Sequence, residues 1–182
     1  MRIPWLQHGH EPPATADRSH FLQALRVPVA HDGRVRTAIL TLHRCINYGS
    51  YWQTRCLVEG LAARGHEVEL LDHRSARVDR AEWRCALDPI RPDRSPACDR
   101  PLYARKARRF FEAIEALPRS APVDLERPRN LASYDRIVVG SDEVWNLDHP
   151  WFGGCTLFFG HGLEGAELVS YAASCGHYHA LR

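Results

Sequence analysis

The first organised segment of the chain reads TAILTL over residues 37–42, and NYGS follows it at residues 47–50. Residues 35–42 are mostly apolar and rich in β-branched side chains, which is typical of a buried parallel strand. The pattern then predicts a helix over residues 50–64 and a second strand over residues 67–72. This strand–helix–strand unit is the building block of a parallel α/β sheet.

A second strand signal lies at residues 136–139, and the segment GSDEVWN follows it directly at residues 140–146. In an open α/β sheet, ligands bind beyond the carboxyl ends of the strands. The NYGS and GSDEVWN segments are therefore both expected at the ligand-binding edge of the sheet, where they would share a common rim.

The remaining elements are less sharply marked. Helical patterns cover residues 81–86 and 102–117, and strand patterns cover residues 156–159 and 168–174. The helix over residues 50–64 is expected to bury the apolar side chains that recur at three- and four-residue spacing. These are Trp52, Cys56, Leu57 and Leu61, with Gly60.

Composition sets limits on the class of protein. The chain has 182 residues, 45% of them hydrophobic and 25% charged, with a net charge of +2, all close to ordinary globular usage. Acidic residues are interspersed with the arginines, which argues against a nucleic-acid partner. A spanning helix needs roughly 20 consecutive apolar residues, and no stretch approaches that. We expect a cytoplasmic location and no transmembrane segment.

The domain organisation follows from the same features. Residues 1–34 contain Pro4, Pro12, Pro13 and Pro28, which interrupt every helix or strand pattern, so a poorly ordered N-terminal extension is expected. Residues 35–182 are expected to form one Rossmann-like lobe. The six cysteines form no CxxC pair, which argues against a zinc site, and no metal site is predicted.

The NYGS segment carries residue types that suit a ligand. Gly49 allows a close backbone approach, and Ser50 is expected to cap the following helix, whose free N–H groups favour an anion. Asn47 can both donate and accept hydrogen bonds, which suits a sugar hydroxyl. The alternative is a strand-to-helix turn that has a good cap and no ligand.

The GSDEVWN segment offers candidates for proton transfer. Ser141 and Asp142 follow a strand directly and are expected to bind a polar ligand or to move a proton, with Glu143 beside them. The alternative is that Ser141 or Asp142 caps a turn while Trp145 packs into the core. His43, at the end of the first strand, is a further candidate for proton transfer or for an anion contact.

Taken together and in order, these segments resemble a known family. Asn47-Tyr48-Gly49-Ser50 with Gln53 is similar to the opening motif of the polysaccharide pyruvyl transferases. Tyr134-Asp135 followed by GSDEVWN resembles the second signature of that family. SYAASCG at residues 170–176 is similar to the third. The resemblance covers roughly residues 35–180.

The resemblance implies a Rossmann-like parallel sheet flanked by helices, the N-terminal lobe of a two-lobed, GT-B-like fold. Members transfer a pyruvyl group from phosphoenolpyruvate to a saccharide, forming a ketal in exopolysaccharide or cell-envelope glycan biosynthesis. This chemistry needs a general acid, a base and groups that hold anions, and no cofactor. The resemblance implies catalytic roles for Asp142 and His43. It also implies substrate contacts at Asn47, Gly49, Ser50, Ser141 and Glu143.

Two departures from the family pattern bear on these expectations. Glu143 stands where the family signature usually has Gln, so a charge replaces an amide. No counterpart of the second lobe follows in the sequence, so the chain is expected to supply one wall of a cleft. The alternatives are a non-catalytic or vestigial lobe that binds a second-lobe protein or self-associates, and half of a GT-B-like glycosyltransferase that uses a nucleotide sugar.

Overall fold

The computed structural model describes residues 35–89, 95–128 and 134–179. The poorly ordered extension expected at residues 1–34 lies outside the described residues. In chain order, the helices and strands are β1 (Arg36–Leu40), α1 (Tyr48–Ala62), β2 (Glu67–Leu70), β3 (His73–Arg74), α2 (Ala76–Leu87), α3 (Arg100–Glu115), β4 (Val123–Asp124), β5 (Arg136–Val139) and β6 (Glu167–Ser170). Short 3₁₀ helices cover Ala97–Asp99 and Thr156–Phe159.

Within the described ranges, four strands form one parallel sheet in the order β2-β1-β5-β6. The chain moves outward from β1 to β2 and later returns to the other side of β1 with β5 and then β6. The strand order therefore reverses between β1 and β5, and such a switch point is where open α/β sheets bind ligands. The expected α/β fold with a parallel sheet flanked by helices is confirmed, and it is consistent with a Rossmann-like lobe. The strands β3 and β4 form a separate parallel pair.

Both faces of the sheet are covered at its centre, which explains why β1 and β5 read as nearly continuous apolar runs. On one face, Ile39 packs with Val58 and Leu61 of α1. On the other, Ala38 and Leu40 belong to a larger cluster that includes residues of α2, β4 and the loops around residues 144–163. Each fully buried aliphatic side chain in these layers contributes roughly 1.5–3 kcal/mol.

The expected apolar face of α1 is confirmed at Leu61 and at Leu57, which packs against the same cluster, but it is wrong at Trp52 and Cys56. Trp52 is 53% exposed and Cys56 is also exposed, while the buried side chains of α1 are Ser50, Thr54, Val58 and Leu61. The first two are polar, and both hydroxyls are satisfied: Thr54 donates to the carbonyl oxygen of Ser50 at 2.7 Å, and Ser50 donates to Asp142. The apolar periodicity was wrong in the first half of the helix, where two hydrogen-bonded hydroxyls take the buried positions.

Other element boundaries also differ from the sequence prediction. The strand expected at residues 156–159 is wrong, because this segment is a 3₁₀ helix that ends at Gly160 with φ 92°. The last strand is shorter than expected and ends at Ser170. The helix α2 is longer than the predicted piece, since Ser75 caps it by accepting a hydrogen bond from the Val78 N–H at 3.2 Å.

The strand β6 forms one edge of the described sheet. Large apolar side chains are exposed there and nearby: Leu168 is 46% exposed, Phe159 54% and Tyr171 37%.

No helix in the described part of the chain combines the length and apolar character needed to cross a lipid bilayer.

Candidate functional site

The loops after β1 and β5 meet at the carboxyl edge of the sheet. We call residues 43–50 and 140–146 the carboxyl rim. The Ser50 hydroxyl, in the first turn of α1, donates a 2.9 Å hydrogen bond to Oδ2 of Asp142. The common rim expected for the NYGS and GSDEVWN segments is thereby confirmed.

The start of α1 is built differently from the sequence expectation. Asn47, not Ser50, is the N-cap: its side-chain oxygen accepts a hydrogen bond from the Gly49 N–H at 2.8 Å. Gly49 lies within the first turn of the helix, where a Cβ would sit only 3.1 Å from Oδ1 of Asn47. This hydrogen bond fixes the orientation of the Asn47 side chain. The side-chain NH₂ group of Asn47 can still donate a hydrogen bond to an oxygen of a ligand. Asn47, Tyr48 and Gly49 are all exposed.

Asp142 is held on both carboxylate oxygens. Oδ2 accepts from Ser50, and Oδ1 accepts from the Glu143 N–H at 2.8 Å. Asp142 itself has φ 78°, in the left-handed region that non-glycine residues seldom occupy. Such conformations cluster at functional sites, where surrounding contacts hold them. The side chain is partly exposed, so it remains accessible from the rim.

The third family-like segment, residues 170–176, packs alongside the rim. The N–H of Ser174 donates to the carbonyl oxygen of Asp142 at 2.9 Å, extending the parallel pairing of β5 and β6. Oε2 of Glu143 accepts from the side-chain amide of Asn146 at 2.7 Å. A Cβ on Gly176 would lie 2.1 Å from Oε2 of Glu143, so any other residue there would require this carboxylate to shift. The three segments therefore form one continuous structure.

Ser141 and its neighbour Gly140 are fixed by backbone contacts. Ser141 is only 7% exposed, and its carbonyl oxygen accepts a 3.4 Å hydrogen bond from the Thr41 hydroxyl. Gly140 has φ +116°, and a Cβ there would come within 2.2 Å of the carbonyl oxygen of Tyr171. The glycine of this segment is explained by close packing against the backbone after β6.

His43 does not reach the surface of the rim. It is fully buried, with its ring nitrogens 3.3 Å from Oδ1 of Asp72 and 3.2 Å from the carbonyl oxygen of Thr41. Burial lowers the pKa of His43, although the neighbouring Asp72 opposes that shift. The imidazole is thus held inside the protein and does not share the partly exposed position of the Asp142 carboxylate.

A cluster of charged side chains surrounds Asp72, which is 1% exposed. Arg74 donates to both of its carboxylate oxygens, at 2.9 and 2.7 Å, and Arg119 donates to Oδ2 at 2.8 Å. Arg44 lies 3.9 Å from Oδ1 and donates to Asp79 at 3.0 Å. Burial disfavours ionised Asp72, but the hydrogen bonds from His43 and Arg74 outweigh it and hold its pKa well below the usual range.

Sequence reasoning missed this cluster and two features beside the rim. The arginines are spread over residues 44–119, and no local pattern links them. Tyr48 and Trp52, one helical turn apart on α1, are exposed by 59% and 53%, and the apolar periodicity had placed Trp52 in the core. His149 follows the GSDEVWN segment, and no pattern in the sequence distinguishes it from other histidines. Only the folded structure brings its ring near the carboxylates of Asp142 and Glu143.

Comparison of the chain with models of known protein families, with curated proteins and with solved structures gave no significant match. The function is therefore inferred from the geometry of the rim and from the three family-like segments that meet there.

Proposed function

We propose that the chain is a polysaccharide pyruvyl transferase-like lobe that presents a saccharide acceptor for transfer of a pyruvyl group from phosphoenolpyruvate. The observation that carries the proposal is the hydrogen bond between Ser50 and Asp142. It joins two of the family-like segments at the switch point of the sheet, where ligand binding is expected. The third segment is bonded to the same loop through Ser174.

The charges of the rim favour binding of the saccharide acceptor over binding of phosphoenolpyruvate, the donor of the pyruvyl group. Asp142 and Glu143 place two carboxylates there, and Glu82 of α2 accepts from the Ile46 N–H at 3.0 Å. Carboxylates accept hydrogen bonds from sugar hydroxyls and repel the phosphate and carboxylate of phosphoenolpyruvate. The exposed rings of Tyr48 and Trp52 add apolar surface on which a sugar ring can lie. The cationic groups that hold phosphoenolpyruvate would then come from a second lobe, as in the two-lobed arrangement that the resemblance implies.

The chemistry assigns a role to Asp142. In the overall reaction, two sugar hydroxyl oxygens form bonds to C2 of phosphoenolpyruvate, C3 gains a proton, and the bond between C2 and the phosphate oxygen breaks. An ionised carboxylate within reach of an attacking hydroxyl can accept its proton. Asp142 has the required exposure, and Ser50 and the Glu143 N–H hold it in one orientation. In this proposal the buried His43 takes no part in the chemistry, and its contact with Asp72 contributes to the fold.

The test is release of phosphate from phosphoenolpyruvate in the presence of oligosaccharides, followed by ³¹P NMR, with the ketal methyl group followed by ¹H NMR. The whole chain is assayed alone and with a candidate second-lobe protein.

We expect Asp142→Asn to lower phosphate release by two orders of magnitude or more, in line with the loss of a general base, roughly 10²–10⁴-fold. The matched control is Asp148→Asn, since Asp148 is exposed in the same loop. Equal rates for the two variants would contradict the role of Asp142. No saccharide-dependent release in either format would contradict the proposed function.

A second candidate is a partner-binding lobe without activity of its own. It is favoured by Leu168, Phe159 and Tyr171, which expose apolar surface near the β6 edge. Light scattering of the purified chain, with and without the second-lobe protein, separates the two candidates. A complex that forms but releases no phosphate would favour this second function.

A further inference from the structure

A cavity of about 480 Å³ opens beside the carboxyl rim, between the loop after β1, the helices α2 and α3, and the segment 149–151. Its size lies within the range of small-molecule sites. Asn47 and Tyr48 line the cavity and also belong to the NYGS segment. A ligand bound at the rim can therefore extend into the cavity without leaving the protein surface.

One wall of the cavity carries a histidine whose tautomer is fixed by the backbone. Nδ1 of His149 accepts hydrogen bonds from the N–H groups of Trp151, at 3.2 Å, and Phe152, at 3.3 Å. Both bonds need a lone pair on Nδ1, so the ring proton lies on Nε2. Burial lowers the pKa of His149, which keeps the ring neutral near pH 7. His149 is thus a hydrogen-bond donor without charge, held in place at a half-buried position.

The rest of the lining selects a class of ligand. Aromatic rings of Tyr48, Tyr103 and Trp151 supply apolar walls. The lining also holds the exposed ammonium group of Lys106 and the buried carboxyl group of Glu82, whose pKa is raised by burial. One exposed ammonium group, beside a carboxyl group whose ionisation burial disfavours, does not make a strongly charged site. A neutral ligand with hydroxyl groups and apolar faces suits it well, and a sugar ring has both.

We infer that the cavity binds a sugar unit of the acceptor next to the unit that reacts, with Nε2–H of His149 donating to one of its oxygens and Trp151 against its apolar face. This inference rests on the proposed function and adds to it a second sugar subsite, formed by the cavity that His149 and Trp151 line. The reacting unit then lies at Asp142, and the neighbouring unit lies past Asn47 and Tyr48.

The test measures binding and needs no turnover. Saturation-transfer NMR with the whole chain compares cellobiose, maltose, lactose and N,N′-diacetylchitobiose with their constituent monosaccharides. We expect at least one disaccharide to bind about tenfold more tightly than its monosaccharides. We expect His149→Asn to weaken that binding about five- to tenfold, as for the loss of one hydrogen bond. The asparagine oxygen can still accept from the backbone N–H groups of residues 151 and 152, so this variant removes the Nε2–H donor and keeps the turn.

Two further variants sharpen the result. Trp151→Ala should lower disaccharide affinity by a similar factor, whereas His161→Asn, at an exposed histidine outside the cavity lining, should leave it unchanged. In ¹⁵N spectra of the imidazole rings, His149 should show the Nε2–H tautomer at neutral pH. Circular dichroism and urea unfolding confirm that each variant is folded.

The possible outcomes separate this inference from the proposed function. Disaccharides that bind no more tightly than monosaccharides would overturn the inference, as would equal affinities for His149→Asn and His161→Asn or an Nδ1–H tautomer. If disaccharide binding depends on His149 but phosphate is never released from phosphoenolpyruvate, the cavity is a saccharide site and the transferase proposal fails. If transfer occurs but is insensitive to His149 and Trp151, the transferase proposal holds and the cavity inference fails.

Discussion

The Ser50 hydroxyl donates a 2.9 Å hydrogen bond to Oδ2 of Asp142, although the two residues are 92 positions apart in the chain. Ser50 is 3% exposed, in the first turn of α1, and Asp142 has a positive φ in the loop after β5. The contact therefore ties the helix that follows one central strand to the loop that follows the other. It fixes the position of the one carboxylate to which we assign proton transfer.

Ser50→Ala should destabilise the protein by about 1–2 kcal/mol, because it removes a hydrogen bond to a carboxylate, while water can still solvate the partly exposed Asp142. The midpoint of urea unfolding measures this effect. Ser170→Ala, at an exposed serine, is the control and should change the midpoint little. A midpoint for Ser50→Ala equal to that of the control would mean that the hydrogen bond does not hold the rim together.

Gly140→Ala should be far more damaging than Gly65→Ala. Both glycines have positive φ, +116° and +89°, so alanine is strained at each by roughly 1–2 kcal/mol. At Gly65 no atom lies within 4 Å of an added Cβ, but at Gly140 the carbonyl oxygen of Tyr171 would lie 2.2 Å away. The backbone after β6 would have to move, which we expect to cost at least about 2 kcal/mol more. Comparable unfolding midpoints for the two variants would refute the close packing of β6 on the GSDEVWN loop.

Asp72→Asn should cost about 3–5 kcal/mol, because it leaves Arg74 and Arg119 without the carboxylate that both contact. Asp79→Asn is the matched control. Its side chain is 32% exposed and contacts Arg44, so we expect about 1 kcal/mol or less. Thermal or urea unfolding distinguishes the two, and a smaller loss for Asp72→Asn than for Asp79→Asn would show that the arginines find other partners.

Stability should fall as the pH drops below about 6.5. Burial lowers the pKa values of His43 and His73, so below pH 6.5 the unfolded chain binds more protons than the folded protein. The stability that depends on neutral histidines is present above pH 6.5 and decreases as the pH falls toward the folded-state values. His66 and His149, whose pKa values are also lowered by burial, act in the same direction. Asp72 adds a further loss at lower pH, since its lowered pKa stabilises the fold only while it is ionised.

Urea midpoints between pH 5 and pH 8 measure this dependence. His73→Gln should reduce the slope, because glutamine cannot become protonated but can still donate to the carbonyl oxygen of Thr41, which Nε2 of His73 meets at 2.7 Å. Higher stability at pH 5 than at pH 7 would contradict the assignment of neutral buried histidines.

The sequence alone predicted the parallel sheet and the meeting of two of its loops, because the apolar pattern of the strands and the rule for strand ends lead to the same result. The apolar run of β1 is buried on both faces, and the loops after β1 and β5 meet as strand-end geometry requires. The sequence prediction failed for the first half of α1, where Ser50 and Thr54 occupy buried positions because their hydroxyls are hydrogen-bonded. Hydropathy alone gives such residues no inward preference.

The candidate site was predicted at the level of segments but not at the level of contacts. Asn47 and Asp142 lie on the rim, but the capping role expected of Ser50 belongs to Asn47. His43 was expected at the rim because of its position after β1, whereas the neighbouring Asp72 and Thr41 hold it inside. His149 was missed because its importance depends on two backbone N–H groups that fix its tautomer, and spacing in the sequence does not reveal that.

The placement of β5 beside β1 has a consequence for how the chain reaches its native state. The backbone N–H of Arg36 meets the side chain of Asp135, 99 positions later, and the same separation holds along the whole β1–β5 pairing. Such a high contact order slows folding. During vectorial synthesis on the ribosome, β1 and β2 emerge with one edge of β1 bare until residue 139 has been translated. Until β5 is made, that edge offers unpaired backbone N–H and C=O groups to any other extended chain.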